Sequence, residues 1–251
     1  MRVIDRNLAR RLLAEGLGTG ALATAVVGSG IAAQRLSPGD TGLQLLENAI
    51  ATAAALIAII LAIGPVSGAH LNPVVTLADR SLGGLTTAEA GGYVTAQLVG
   101  GAGGAIVANV MFSLPAVELS TRVRSSGALW MSEVVATFGL VLVVFAVARS
   151  GRASLAPFAV GAYIGGAYFF TSSTSFANPA VTVARVLSDT FAGIAPGSVP
   201  PFVAAQGVGA ALAVAVARLL YPDLDRVAHE VVVPQIDAAP PNSRKPAKEL
   251  S

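Results

Sequence analysis

The chain has 251 residues, 54% of them hydrophobic and only 12% charged. Soluble domains carry about 25% charged residues, so this chain lacks the polar groups to cover a globular surface, and a membrane protein is indicated. The absence of cysteine excludes disulfides and thiolate metal sites, His70 and His229 are too far apart in sequence for a histidine-rich metal cluster, and a net charge of +2 gives no reason to expect a nucleic-acid partner.

The first stretch, "MRVIDRNLARRLLAEGLGTGALATAVVGSGIAA", opens like a secretory signal, but its apolar part runs for about 20 residues, longer than an h-region. It reads as a first span that is retained. Further apolar segments bring the predicted spans to about 12–33, 43–64, 90–113, 128–148, 155–172 and 199–220. Each can cross a hydrocarbon layer about 30 Å thick. Between the second and third lies "SGAHLNPVVTLADR" (67–80), and between the fifth and sixth "TSSTSFANPAVTVAR" (171–185). Each Asn-Pro pair is followed by about ten helix-compatible residues, roughly 15 Å at 1.5 Å per residue, or half a bilayer. Two such half-helices entering from opposite faces meet near the midplane. From about Pro222 the chain is polar and proline-rich, ending "QIDAAPPNSRKPAKELS", and reads as a disordered tail, 222–251.

Charge sets the expected orientation. Of 16 Lys and Arg, only Arg35, Arg122, Arg124 and Arg185 fall on the side opposite the termini. The positive-inside rule then places both termini in the cytoplasm, with Trp130 at the outer end of the fourth span.

The chain also repeats itself. "AEGLGTG" (14–20) answers to "SEVVATFG" (132–139), "NPVVTLA" (72–78) to "NPAVTVA" (178–184), and "AQLVGG" (96–101) to "AQGVGA" (205–210). The motifs recur in one order, giving halves of about 1–115 and 125–221 within one domain, 1–221. Three spans per half make the second copy inverted, and such duplications put the transport path at the interface of the halves. One Asn-Pro pair is an ordinary helix start, since Asn caps and Pro suits the first turn. Two in matched places of an inverted repeat point to a pore.

The residues suggest how that pore works. Asn72 and Asn178 can cap their helices through oxygen while offering N–H groups to a solute, a geometry that interrupts a proton wire. The irregular stretches "SGAHL" and "SSTSFA", with Gly68, Ala69, His70, Ser173 and Thr174, are expected to line the path with carbonyls, because irregular backbone at this depth belongs beside a cavity or buried in protein. Here His70 is expected chiefly as a brace. Glu15 and Glu133 are ionisable groups inside apolar spans, open to a proton-relay role or a bracing one. The glycines Gly100, Gly101, Gly103, Gly104, Gly207 and Gly209 suggest close helix packing.

This combination of two Asn-Pro boxes, paired Glu and paired Gln resembles the aquaporin, or major intrinsic protein, family over about residues 8–221. The resemblance implies an all-α membrane protein, an aquaporin-like bundle of six transmembrane helices plus two half-helices from an inverted repeat. It implies that Asn72, Pro73 and Val74, with Asn178, Pro179 and Ala180, meet at the pore midplane, Val74 standing where alanine is usual. It further implies that Glu15, Glu133, Gln97 and Gln206 brace the loops, that the assembly is a homotetramer, and that no cofactor is needed.

The family's outer constriction has four positions, and offsets from the boxes place them at Thr52, Gly166, Ser175 and Val181. Valine occupies the place of a nearly invariant arginine, so the resemblance implies an uncharged and unusually wide opening. Arg185, one turn beyond Val181 on the same helix face, reads first as a solvated loop arginine, with a place at the mouth as the alternative. The style of the second box is similar to that of bacterial channels linked to arsenic resistance. Expected is a passive, bidirectional channel for small neutral solutes, arsenous acid and related arsenicals first, with water and glycerol or urea also passing. It would sit among lipids of a bacterial-type plasma membrane. A plain water or glycerol facilitator is the alternative, and an ion channel or proton-coupled transporter is the alternative of another class. No nucleophile–base pair or metal cluster suggests an enzyme.

Overall fold

The computed structural model describes residues 6–149 and 151–221. The expectation for 222–251 lies outside the described residues. Eight α-helices follow in order: α1 Arg6–Leu36, α2 Thr41–Ser67, α3 Pro73–Ser81, α4 Thr87–Met111, α5 Gly127–Arg149, α6 Ala156–Phe170, α7 Pro179–Ala184 and α8 Val199–Leu220. Among the described residues no strand occurs. Six of these segments are long and apolar enough to cross a membrane, and α3 and α7 are the short pair.

Local chemistry explains the ends. Asp40 caps α2 by accepting from the Leu43 amide at 2.9 Å, and Gly68 stops it in a left-handed turn at φ 85°. Thr86 and Glu89 form a capping box at the start of α4. The two half-helices begin at Pro73 and Pro179, each capped by the preceding asparagine. α7 is shorter than the ten residues expected, because a 3-10 turn over Arg185–Leu187 tightens its end.

α1 packs most extensively on α4, and α5 on α8, the matching pair of the second half. At Gly100 and Gly104 of α4 the backbones touch: a Cβ there would overlap the carbonyl oxygens of Gly16 and Gly20. Gly209 approaches the Val134 carbonyl in the same way, and Gly101 packs on α7 through Ala180 and Ala184. Gly103 and Gly207 do not share this role, since a Cβ at either meets open space on the outer face. That face is apolar, with Leu17, Ile50, Val99, Phe158 and Leu212 exposed as a bilayer requires.

Between α4 and α5 the chain runs as a strap across the end of α7. Amides of Glu118 and Ser120 donate to carbonyls of Leu187 (3.1 Å) and Val186 (2.9 Å), and the Ala195 amide donates to Arg122 (2.8 Å). We call this the strap end of the bundle. It lies opposite the end from which α1 starts.

Candidate functional site

The N-termini of α3 and α7 meet inside the bundle. Asn72 Oδ1 accepts from the Val74 amide at 3.1 Å, and Asn178 Oδ1 from the amides of Ala180 and Val181 at 3.0 and 3.2 Å. These donors fix each amide's orientation, because a flipped side chain would set NH2 against N–H. Asn72 Nδ2 then donates to the Ala177 carbonyl, and Asn178 Nδ2 to the Leu71 carbonyl, both at 2.8 Å. An NH2 has two hydrogens, so each asparagine keeps one donor for the cavity that both side chains line.

Behind the boxes two carboxylates hold the irregular loops. Glu15 Oε1 accepts from Ser67 Oγ (2.7 Å) and the His70 amide (2.9 Å); its Oε2 accepts from the Leu71 amide (2.7 Å) and Gln97 Nε2 (2.8 Å). Glu133 repeats the pattern with Ser173 Oγ (2.6 Å) and the amides of Phe176 and Ala177 (both 2.9 Å), and with Gln206 Nε2 (2.6 Å). Each glutamine also donates to a threonine of its half-helix, Gln97 to Thr76 at 2.9 Å and Gln206 to Thr182 at 3.0 Å. The loops need such support. Ala69, Leu71, Thr174, Ser175 and Ala177 all have positive φ between 45° and 64°, a conformation that costs roughly 1–2 kcal/mol per residue. All four oxygens of the two carboxylates are occupied, which leaves neither positioned to pass a proton.

The cavity measures about 60 Å³ and runs between the halves. Ligand pockets commonly reach 300 Å³ or more, so this is a narrow conduit and not a chamber. Of the expected loop lining, Ala69 and His70 reach it, while Gly68, Ser173 and Thr174 do not. Ser173 is turned back onto Glu133 and is fully buried. His70 borders the cavity and is held by Thr76 Oγ1 at 3.1 Å and by the Tyr93 ring, so it braces the loop and faces the path at once.

At the neck toward the strap end, Thr52, Ser175 and Val181 all line the cavity. Gly166 does not: it is exposed on the outside of α6. The pore face of α6 carries Val160, Ile164 and Tyr168, spaced four residues apart; Gly166 is two residues from the last two, hence near the opposite side of the helix. The Tyr168 hydroxyl donates to Thr52 Oγ1 at 3.2 Å, so an aromatic ring stands where the smallest side chain was expected. The neck is narrower than four small residues would make it.

Arg185 also departs from expectation. It is only 2% exposed and lines the cavity; it is not a solvated loop side chain. Its guanidinium lies 3.4 Å from the centroid of Phe176, and its Nε donates to the Ala192 carbonyl. Around it, Arg124 donates to the carbonyls of Gly193 (2.9 Å) and Phe191 (3.2 Å), and Arg122 to Phe191 (3.0 Å). Burial beneath its own strap segment's contacts with the turn at 191–193, with the like charge of Arg122 beside it, pushes the Arg124 guanidinium down to about 10. The exposed Asp189 carboxyl is held below its usual range by the Thr121 amide and hydroxyl.

Ser67, Thr76, Thr182 and Tyr168 were not anticipated as parts of the site. The first three carried a usable signal: Ser67 and Ser173 each stand five residues before their asparagine, Thr76 and Thr182 four after. Among the described residues no group of His, Cys, Asp and Glu could hold a metal ion.

Comparison with known proteins agrees with this architecture. Residues 3–175 match the family described as Major intrinsic protein. The chain is 49% identical over 214 residues to the aquaglyceroporin AqpS of Rhizobium meliloti (strain 1021), covering 85% of this chain and 91% of that one. It is 29% identical over 215 residues to the probable aquaporin AqpM of Archaeoglobus fulgidus, covering 75% and 87%. Among solved structures, the X-ray structure of the aquaglyceroporin from Plasmodium falciparum superposes with a TM-score of 0.63 at 21% identity, covering 87% of this chain and 99% of that one, a likeness of fold.

Proposed function

Because the chain belongs to the major intrinsic protein family, a family of membrane channels and not enzymes, we propose that this channel's preferred solute is arsenous acid, with related arsenicals, glycerol and urea following the same path. That it is a multi-pass channel for water and small neutral solutes is the coarser statement on which this rests. The observation that carries the finer one is the neck. Val181 replaces a fixed charge at the constriction, and the groups opposite it, Thr52 and Ser175, are neutral hydroxyls. Ser175 lines the cavity and its Oγ has no partner within the protein, so a small turn of the side chain would offer that hydroxyl to a passing solute. Arsenous acid is neutral at pH 7 and carries three hydroxyls in a compact cone. It can accept from the spare N–H groups of Asn72 and Asn178 while donating to loop carbonyls. A solute oriented in this way breaks the proton wire.

The same reading makes residues 1–221 one channel domain, with Thr52, Ser175, Val181 and Tyr168 at its constriction and a homotetramer as the assembly. It sets the protein in a bacterial plasma membrane with both termini in the cytoplasm, which the Lys and Arg asymmetry supports. The test is arsenite uptake into proteoliposomes of purified protein, with glycerol-driven swelling measured in parallel. Arsenite uptake well above that of empty vesicles is the expected result. Uptake equal to empty vesicles, with swelling intact, would leave a plain water and glycerol facilitator.

A further inference from the structure

The two ends of the pore are not equivalent, although the repeat makes their backbones so. Asp79 stands seven residues after Asn72, and Arg185 seven after Asn178. The repeat therefore puts a carboxylate near one end and a guanidinium near the other. Asp79 approaches the His70 ring, with Nε2 3.9 Å away. Arg185 stacks at 3.4 Å on Phe176, the residue that takes the place of His70 in the second half.

Only Nε of the Arg185 guanidinium is used, by the Ala192 carbonyl. The described residues offer no acceptor to its two terminal nitrogens, and these nitrogens keep access to the cavity. No carboxylate lies within ion-pair distance of Arg122, Arg124 or Arg185 among the described residues, and none lines the cavity. A buried guanidinium with an unused fork is an incomplete recognition group. Its natural complement is a pair of oxygens carrying negative charge. The Phe176 face holds the fork in one plane, so little rotamer entropy is lost when a ligand binds.

We propose that Arg185 makes the strap-end mouth a docking site for small monoanionic oxyacids, which bind its terminal N–H pair and compete there with neutral solutes for entry. The anion stops at this point. Farther in it would have to shed its water among Leu56, Ile60, Val144 and Val160, walls that offer no hydrogen bond. This goes beyond the neutral-solute reading and holds whichever neutral solute is preferred.

The probe is methanesulfonate, a compact three-oxygen anion that stays ionised and cannot cross a bilayer as a neutral acid. Glycerol flux through the full chain in proteoliposomes is compared in sodium methanesulfonate and in sodium gluconate, present on both faces. Both salts are used at about 0.1 M ionic strength, where charges farther than roughly 10 Å away are screened and only close contacts register. Saturable slowing by methanesulfonate is the expected result, and Arg185→Gln should weaken its apparent affinity about tenfold, the loss of one or two charge-assisted hydrogen bonds. Phe176→Leu should weaken it by a smaller factor, by freeing the fork. If Arg185→Gln yields no folded protein, saturation transfer from the wild-type channel in detergent to the probe's methyl protons reads the site directly. Equal flux in the two salts with no saturation transfer would overturn the proposal. So would slowing that survives unchanged in Arg185→Gln, which would place the anion elsewhere.

Discussion

Asn72 and Asn178 are cross-linked through each other's loops: each donates to the carbonyl of the residue just before the other, Ala177 and Leu71, at 2.8 Å. The exchange is reciprocal, so it ties the halves together where the two half-helices meet. Both amides are at once helix caps, inter-half ties and donors to the cavity. Three duties on one side chain leave little room for substitution.

Replacing Asn72 with Asp keeps the cap oxygen but turns the Ala177 donor into a charged acceptor facing a carbonyl. The buried Ala177 oxygen loses its partner, a cost of about 1–3 kcal/mol before repulsion is added. Asn72→Asp should lower the unfolding temperature in detergent and cut water flux per folded channel.

The carboxylate braces lead to a second expectation. Glutamine at position 15 or 133 keeps one acceptor oxygen but points NH2 at two existing donors. Glu15→Gln and Glu133→Gln should therefore reduce folded yield and thermal stability to similar extents. Flux per folded channel should show no new dependence on a pH gradient. A variant with full yield and no transport would speak for a proton-coupled mechanism.

Val181 faces the neck beside Thr52 and Tyr168, and the residue is 4% exposed. Val181→Arg adds length, a fork and a positive charge one turn from Arg185, on the same helix face. Arsenite and glycerol fluxes should fall more than water flux, read by uptake and swelling of the same vesicles. Equal losses in all three would remove Val181 from the constriction.

Helix contact gives the fourth. Gly104→Ala should destabilise by about 1–3 kcal/mol, because its Cβ would overlap the Gly20 carbonyl. Gly103→Ala, one residue away on the open outer face, should be neutral or stabilising by up to about 1 kcal/mol through helix propensity. Thermal unfolding of the pair in one detergent checks both signs.

Much of this site could be read from residue identities because the chain states it twice. Glu15 and Glu133, Gln97 and Gln206, and the two asparagines were found by matching halves. Ser67 and Thr76 were within reach of the same matching. Gly166 was misplaced for a different reason. It was placed by its offset from the second box, and α6 is apolar on every face, so no hydrophobic phase was there to correct the count; only packing reveals that Tyr168 and Ile164 face the path. Arg185 misled because its burial depends on Phe176 and Ala192, contacts that no spacing rule announces. The strap was not read at all, since irregular chain that pairs with distant carbonyls has no periodic signature.

The touching backbones at Gly100 and Gly104 have a bearing on biogenesis. They join α1 to α4, which both belong to the first half, and Gly209 joins α8 to α5 in the second. Each half thus holds the close-contact seam of its own first and third crossings, so neither seam waits on the other half to form. The halves then meet through the asparagine exchange and through the packing of α2 on α6 and of α4 on α7.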